Sequence, residues 1–416
     1  MKKVIRDPLH GYIEFDELAR AIIDTMEMQR LRRIRQLGFS YLVYPGANHT
    51  RFEHSLGTYH LMCLLLNRLE VPAAEEQELL VAALIHDVGH GPYSHVTEPL
   101  LKKYTGKGHE DIEAVLFPER AEHDEALRSD AFAPTIAEVV EEFRLDKIEV
   151  LGYIKGERAY FWTKRDLSRI LNGEIDVDKM DYLVRDSYYT GVAYGVVDNT
   201  RLIHGLDFVN DELVITEKGI LPAEYLLFSR FLMHPTVYNH HTGRIAQLMF
   251  TAALEALIGA KTEAHDFAAA LRTMDDAEIT IRLRNAEGYP QEILRRIEAR
   301  RLFKRAVYTN LSDLDSGVVD ALWDDQKVQE LKEELSQRAG VDPRYVLLDV
   351  QKPKDEVLAE STAKVVVENE FRSLREVSSL VAMLSREFEK RYKIGVYTPD
   401  EYRAEVKKAA EDMLWP

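Results

Sequence analysis

Along the first 260 residues, apolar positions recur mostly three and four apart. That spacing predicts helices over 18–37 (LARAIIDTMEMQRLRRIRQL), 52–69 (FEHSLGTYHLMCLLLNRL), 73–89 (AAEEQELLVAALIHDVG), 135–143 (TIAEVVEEF), 178–189 (DKMDYLVRDSYY) and 222–234 (PAEYLLFSRFLMH). Two of these carry start signals. Asp176 precedes the segment with Asp178 and Tyr182, and Pro72 followed by Glu75 and Glu76 opens the one that ends near His86. The pattern changes at LDFVNDELVITEKG, where Asn210-Asp211 separates two alternating runs and predicts a short β-hairpin. After about residue 262, DAEITIRLRN, RLFKRAVYTN and RYVLLDVQKP read as strands among polar helices such as DDQKVQELKEELSQRAG. The expected fold class is therefore mainly α, with a helical core over 1–260 containing the hairpin and a smaller α+β lobe over 261–416 that serves assembly or regulation.

Composition changes this picture little. A chain of 416 residues with 46% hydrophobic and 30% charged positions, 14 Pro and 21 Gly is an ordinary globular sequence. The single cysteine, Cys63 in LMCLLL, excludes an intrachain disulfide and a Cys-rich zinc site and reads as a small buried hydrophobe in a reducing cytoplasm. With no run of about 18 apolar residues and no apolar segment in MKKVIRDPLHGYIEF, a soluble cytoplasmic protein without membrane contact is expected. A formal net charge of -17 argues against a broad nucleic-acid surface but leaves room for a few arginines focused on one phosphate ligand.

The chemistry concentrates in histidines. His49, His54, His60, His86, His90, His95 and His109 fall in one short window of a chain with 14 histidines, where even scatter would place roughly two. A single one of them reads equally well as a core histidine bonded to a carbonyl. His86-Asp87 demands more, because a carboxylate at the end of a buried helix is costly unless a cation or hydrogen bonds compensate it, and a metal does so directly. Imidazole plus carboxylate suits Zn, Fe, Mn, Co or Ni, Gly89 and Gly91 would let the chain turn tightly, and His54 can supply a second imidazole. For an acidic fourth ligand, Asp176, Asp178 and Asp181 compete in GEIDVDKMDYLVRD. Asp176 reads as a helix cap and Asp181 as solvated, which leaves Asp178. Tyr182 and Arg185 share its helix face and can meet a sugar, a phosphate or a structural carboxylate.

The runs RFEHS, HDVGHGPYSH and IDVDKMDY resemble the H...HD...D signature of the HD superfamily of metal-dependent phosphohydrolases. They are similar to its SAM-and-HD-domain dNTP triphosphohydrolase branch, with further matches from KVIRDPLHGYIEF to FSRFLMHPTVYNHH. The resemblance implies an HD-domain fold and His54, His86, Asp87 and Asp178 as ligands of a divalent ion, with Mg added to the candidates. It implies Arg51 on the α-phosphate, His95 as general acid oriented by Glu98 where the family usually has aspartate, and His90 and His109 on phosphate. Lys179 and Arg230 would hold the outer phosphates. Gln36, Tyr182 and Asp186 would read the sugar, and Tyr238 would crowd a 2′ hydroxyl.

The implied reaction is hydrolysis of a dNTP to deoxynucleoside and triphosphate, with broad base tolerance. Regulatory GTP or dNTP sites at subunit interfaces are implied at Lys3, Val4, Asp24, Gln29 and Arg32, and at Asp198, Arg201, His240, Arg300 and Lys304. Arg6 and Pro222 stand where animal enzymes have polar residues. A homodimer or tetramer without a SAM domain is the expected assembly. Two other readings are an HD phosphohydrolase of a nucleoside monophosphate or guanosine alarmone, and a catalytically silent nucleotide sensor.

Overall fold

The computed structural model describes residues 3–118, 133–157, 165–351, 360–389 and 391–415. The chain opens with a feature the periodicity does not announce: strands β1 (Lys3–Asp7) and β2 (Gly11–Phe15) pair antiparallel as a hairpin. The helix expected over 18–37 is broken. Helix α1 (Glu17–Ile23) stops at Asp24, and α2 (Met26–Arg30) restarts behind Thr25, whose hydroxyl accepts from the Met28 amide and donates to the Ile22 carbonyl. One apolar stripe runs through both pieces, but a buried threonine cap competes with the helical hydrogen bonds and turns the chain.

Helix α3 (Arg51–Leu69) begins with a Thr50–Glu53 capping box, and α4 (Ala73–Ile85) packs along it and ends just before His86. After α5 (Glu98–Thr105), helix α6 (Val177–Thr190) crosses α3, its start fixed by Asp176 accepting from the Lys179 amide as its spacing predicts. The hairpin expected at 206–219 is present as β3 (Leu206–Val209) and β4 (Glu212–Thr216), turned by Asn210 and Asp211 at φ +52° and +65°. Helix α7 (Ile220–Met233) runs into a π-helical turn over His234–Tyr238, and α8 (His241–Gly259) follows.

Beyond 260, DAEITIRLRN is a helix, α9 (Asp276–Arg284), not a strand. Asp275 caps it, and Ile279 and Leu283, four apart, are its buried apolar positions, so the Ile-Thr-Ile alternation is incidental. Helix α10 (Tyr289–Glu298), strand β5 (Lys304–Asn310), helix α11 (Asp325–Ala339), β6 (Leu347–Val350), β7 (Lys364–Val367), β8 (Glu370–Ser373), β9 (Lys393–Thr398) and helix α12 (Arg403–Leu414) follow. One sheet runs β5-β9-β6, while β7 and β8 extend the hairpin sheet in the order β3-β4-β7-β8. The fold is thus mainly α with small sheets. Its largest core fills the space between α1, α3, α4, α6 and α7, and a second joins Phe39 and Tyr93 to α8, α9 and α10. No helix among the described residues is long and apolar enough to cross a membrane.

Candidate active site

Three elements carry the histidines to one place. His54 lies on the first turn of α3, His86 and Asp87 follow the end of α4, and Asp178 lies on the first turn of α6. His54 Nε2 is 2.8 Å from Asp178 Oδ1, 3.3 Å from His86 Nε2 and 3.7 Å from Asp87 Oδ2, and His86 Nε2 is 3.6 Å from Asp87 and 3.7 Å from Asp178. The outer nitrogens are engaged elsewhere: His54 Nδ1 donates to Asp181 Oδ2 (2.8 Å) and His86 Nδ1 to the Ala83 carbonyl (2.9 Å). Those bonds turn both Nε2 atoms toward two carboxylates and one shared point, the arrangement a divalent ion requires. The same charge acts on a proton. Burial opposes the charged imidazole, but the bonds to Asp178 and Asp181 outweigh it and push His54 up to about 10. The four residues fit a metal on this ground, and the donor set suits several divalent ions.

Asp87 is buried, which alone would raise its carboxyl, yet Arg51 holds it well below the usual carboxylate range. Arg51 Nη1 donates to both Asp87 oxygens at 2.8 Å, and its Nε donates to Ser94 Oγ at 2.9 Å. Arg51 is itself buried, so this ion pair lies away from the surface. Ser94 and Tyr93 carry the left-handed backbone of this loop, at φ +59° and +56°. The chain turns tightly at both glycines, the His90 amide donating to the Asp87 carbonyl (3.1 Å) and the Ser94 amide to the Gly91 carbonyl (3.1 Å), but positive φ is not what requires them. Instead a Cβ at Gly89 would strike the His109 carbonyl, and one at Gly91 would come within 2.7 Å of Thr97 Oγ1.

A second histidine group adjoins the first. Glu98 accepts from His95 Nδ1 (2.8 Å) through one oxygen and from His109 Nδ1 (2.7 Å) through the other. The His109 ring stacks on His90 at 4.0 Å, and His95 stands edge-on to both. His95 has 60% of its side chain accessible, yet enough protein surrounds it that burial, helped by Arg51 and opposed by Glu98, pushes its imidazole down. His90 falls well below its ordinary value, through burial and then Arg51.

Residues expected to read a sugar also meet. Tyr238 donates to Asp186 Oδ2 at 2.9 Å, Asp186 Oδ1 is 2.8 Å from His49 Nε2, and the Tyr182 ring lies edge-on to Tyr238. Gln36 is buried, and its backbone N–H donates to the His49 carbonyl. Burial raises the Tyr182 phenol, and the positive charges of Arg230 and Lys179 oppose it. Lys179 Nζ donates to Asp176 (2.6 Å) and to the Gly173 carbonyl (2.9 Å).

The expected regulatory residues form separate groups. Lys3 and Val4 are exposed on β1, and Asp24 ends α1. Arg32 donates to Gln29 and lies 3.6 Å over the Phe52 ring. Asp198 caps the Asn199–His204 helix by accepting from the Arg201 amide. His240 caps α8, Arg300 donates to the Leu42 carbonyl, and Lys304 begins β5.

Several residues that shape the site have partners that the sequence does not announce. Asp181, expected to be solvated, is 0% exposed. Arg185 meets it rather than a phosphate, with Nε at 2.8 Å from Oδ2 and Nη2 at 3.0 Å from Oδ1, so of the open alternatives the structural carboxylate is the one found. Arg30, also buried, donates to the Val88, His90 and Met274 carbonyls at 2.6 to 3.0 Å and so holds the backbone of the loop that follows Asp87. Burial lowers its guanidinium to about 10. His49 was countable in the histidine cluster, but its partner Asp186 lies 137 residues away.

Residues 51–186 match the HD domain model, and residues 197–415 match the HD associated region, which alone spans more than half of the chain. An uncharacterized protein of Methanocaldococcus jannaschii is 32% identical over 98% of this chain and 81% of its own. The deoxynucleoside triphosphate triphosphohydrolase SAMHD1 homolog of Dictyostelium discoideum is 30% identical over 71% of this chain, which spans 55% of that protein's length. The crystal structure of a hypothetical protein from Aquifex aeolicus superimposes with a TM-score of 0.74 at 28% identity, covering 98% of this chain and 100% of that one. With the histidine and aspartate cluster joining α3, α4 and α6, these likenesses make the chain a member of the HD family of metal-dependent phosphohydrolases.

Proposed function

We infer that the protein hydrolyses deoxynucleoside triphosphates to deoxynucleoside and inorganic triphosphate. The observation that carries this reading is the side-by-side placement of two histidine groups. One, His54 and His86 with Asp87 and Asp178, is rich in acids, and the other, His90, His95 and His109, is spanned by Glu98. His54, His86, Asp87 and Asp178 would hold the divalent ion, which when bound supplies Lewis acidity at a phosphoryl oxygen. Arg51 places a guanidinium beside Asp87, where it offsets charge developing on the α-phosphate.

Water's oxygen bonds to the α-phosphorus, the bond to the 5′ oxygen breaks, and that oxygen takes a proton from His95. Glu98 holds His95 Nδ1, leaving Nε2 to face the leaving group. The free imidazole sits below its ordinary value, so an incoming polyphosphate, by bringing negative charge, favours the protonated form the step needs. His90 and His109 would take phosphate oxygens, and Lys179 and Arg230 the outer phosphates. Tyr238, braced by Asp186, would crowd a 2′ hydroxyl beside Gln36 and Tyr182. The likeness to a dNTP triphosphohydrolase supports this substrate.

Activation by GTP or a dNTP, in a homodimer or tetramer, belongs to the same proposal, with Lys3, Val4, Asp24, Gln29 and Arg32 as the guanine-nucleotide contacts. Asp198, Arg201, His240, Arg300 and Lys304 would serve the remaining nucleotide contacts. One observation favours a smaller phosphoester such as a nucleoside monophosphate: Lys179 already donates to Asp176 and Gly173. Product analysis separates the two. Protein loaded with Mg, Mn, Fe, Co, Ni or Zn and given dNTPs with and without GTP should release triphosphate and deoxynucleoside. Release of orthophosphate, or turnover of nucleoside monophosphates alone, would overturn the assignment.

A further inference from the structure

The run RDPLHG has no part in the chemistry above, yet its side chains end beside the metal group. Asp7 Oδ1 accepts from the amides of Leu9 (2.8 Å) and His10 (2.9 Å), a turn that reverses the chain between β1 and β2 and aims His10 inward. His10 Nε2 donates to Asp181 Oδ1 at 2.7 Å. Arg185 reaches the other Asp7 oxygen through Nη1 at 2.9 Å while its Nε and Nη2 hold Asp181. The fourth bond on Asp181 comes from His54 Nδ1. Asp181 therefore accepts two hydrogen bonds on each oxygen, a full complement for a carboxylate, in a place closed to water. Helix α3 can lie against this group only because residue 57 is glycine, as a Cβ there would collide with both Asp181 and Arg185.

Each member of the network is balanced by the others. Without His10, Asp181 Oδ1 keeps only Arg185, whose three contacts draw the carboxylate along the Arg185–Asp7 direction and away from His54. The imidazole then loses the acceptor that fixes its ring plane and its tautomer, and such outer partners typically govern 10- to 100-fold of a site's metal affinity.

We propose that the N-terminal hairpin is an arm of the metal centre, in which His10 and Asp7 are positioning residues that hold Asp181 on His54 and so set how tightly the metal binds. This rests on the reading of His54, His86, Asp87 and Asp178 as ligands. Hairpin seating and metal loading are then coupled in both directions. A ligand on the exposed strand β1, where Lys3 and Val4 lie, acts on the metal through Asp7, which ends that strand.

The test is titration of the metal-free protein with Co(II), read by visible absorption, alongside thermal unfolding of each metal-free form. His10→Phe and Asp7→Asn are expected to weaken Co(II) binding by about 10- to 100-fold. His10→Gln, whose amide can still donate to Asp181, is expected to recover most of the loss, a rescue that a purely steric role would not give. A folded His10→Phe protein that binds Co(II) like the wild type would overturn the proposal, as would equal weakening by His10→Phe and His10→Gln. Asp7→Asn keeps the turn acceptor and the size of the side chain, so it carries the test if His10→Phe does not fold. Asp87→Ala separates the two levels. If it leaves Co(II) binding unchanged, the ligand reading fails. If it abolishes binding while the His10 variants bind normally, only the hairpin inference fails.

Discussion

The two histidine groups are joined by the single run HDVGHGPYSH, yet the protein holds them in opposite ways. Around His54 and His86 stand three carboxylates, Asp87, Asp178 and Asp181, and the imidazoles sit where positive charge is stabilised. Around His90, His95 and His109, Glu98 is divided between two rings, Asp87 lies 3.4 Å from His90 Nε2 and Glu110 3.8 Å from His109 Nε2, yet burial and the nearby Arg51 push His90 and His95 toward the neutral form. The balance between the acids and the Arg51 guanidinium, more than the number of histidines, sets the two groups apart.

The largest expected effect comes from breaking the acid-rich group. Asp87→Ala removes a ligand and strands the Arg51 guanidinium in a buried position, an uncompensated charge that typically costs about 3–5 kcal/mol. Metal analysis should show loss of the bound ion, turnover should vanish, and the unfolding midpoint should fall. Retained metal with only slowed turnover would mean the first group is not the cation site.

His95→Gln tests the second group. It should lower kcat by roughly 10²–10⁴ while the metal content stays at the wild-type level, the share general acid catalysis usually contributes. Equal loss of metal would merge the two groups into one.

The sequence makes the first group more legible than the second, and the reason is physical. Asp178 emerges because Asp176 has a cap's spacing, and the structure shows that cap. Asp181 does not, although Arg185 stands four residues on, since the partners that bury it, His10 and His54, come from 171 and 127 residues away. The same limit hides His49 behind Asp186 and Arg30 behind three carbonyls. In the fold, α3, α4 and α6 are readable because their apolar positions recur at helical spacing over more residues than a strand spans. The break at Thr25 and the helix at 276–284 depend on side-chain caps that periodicity does not weigh. The hairpin β1–β2 is too short to show alternation above background.

Glu98→Gln sharpens the comparison more gently. Glu98 is the group that opposes the burial shift on His95, so its loss should lower the imidazole further. A general acid is lost as pH rises through its pKa, so the alkaline limb of kcat/KM, which reports the free enzyme, should move to lower pH. An unmoved limb would detach Glu98 from His95.

Tyr238→Phe is the mildest change. It removes one hydrogen bond to Asp186, worth about 1 kcal/mol, and should raise KM for a dNTP several-fold with kcat nearly unchanged.

The most direct measurement is hydrolysis of a dNTP by the metal-loaded protein in ¹⁸O-labelled water, followed by phosphorus NMR. Attack at the α-phosphorus predicts inorganic triphosphate carrying the label on a terminal phosphate, with an unlabelled deoxynucleoside. Labelled orthophosphate or pyrophosphate, or label on the 5′ oxygen of the deoxynucleoside, would contradict the account.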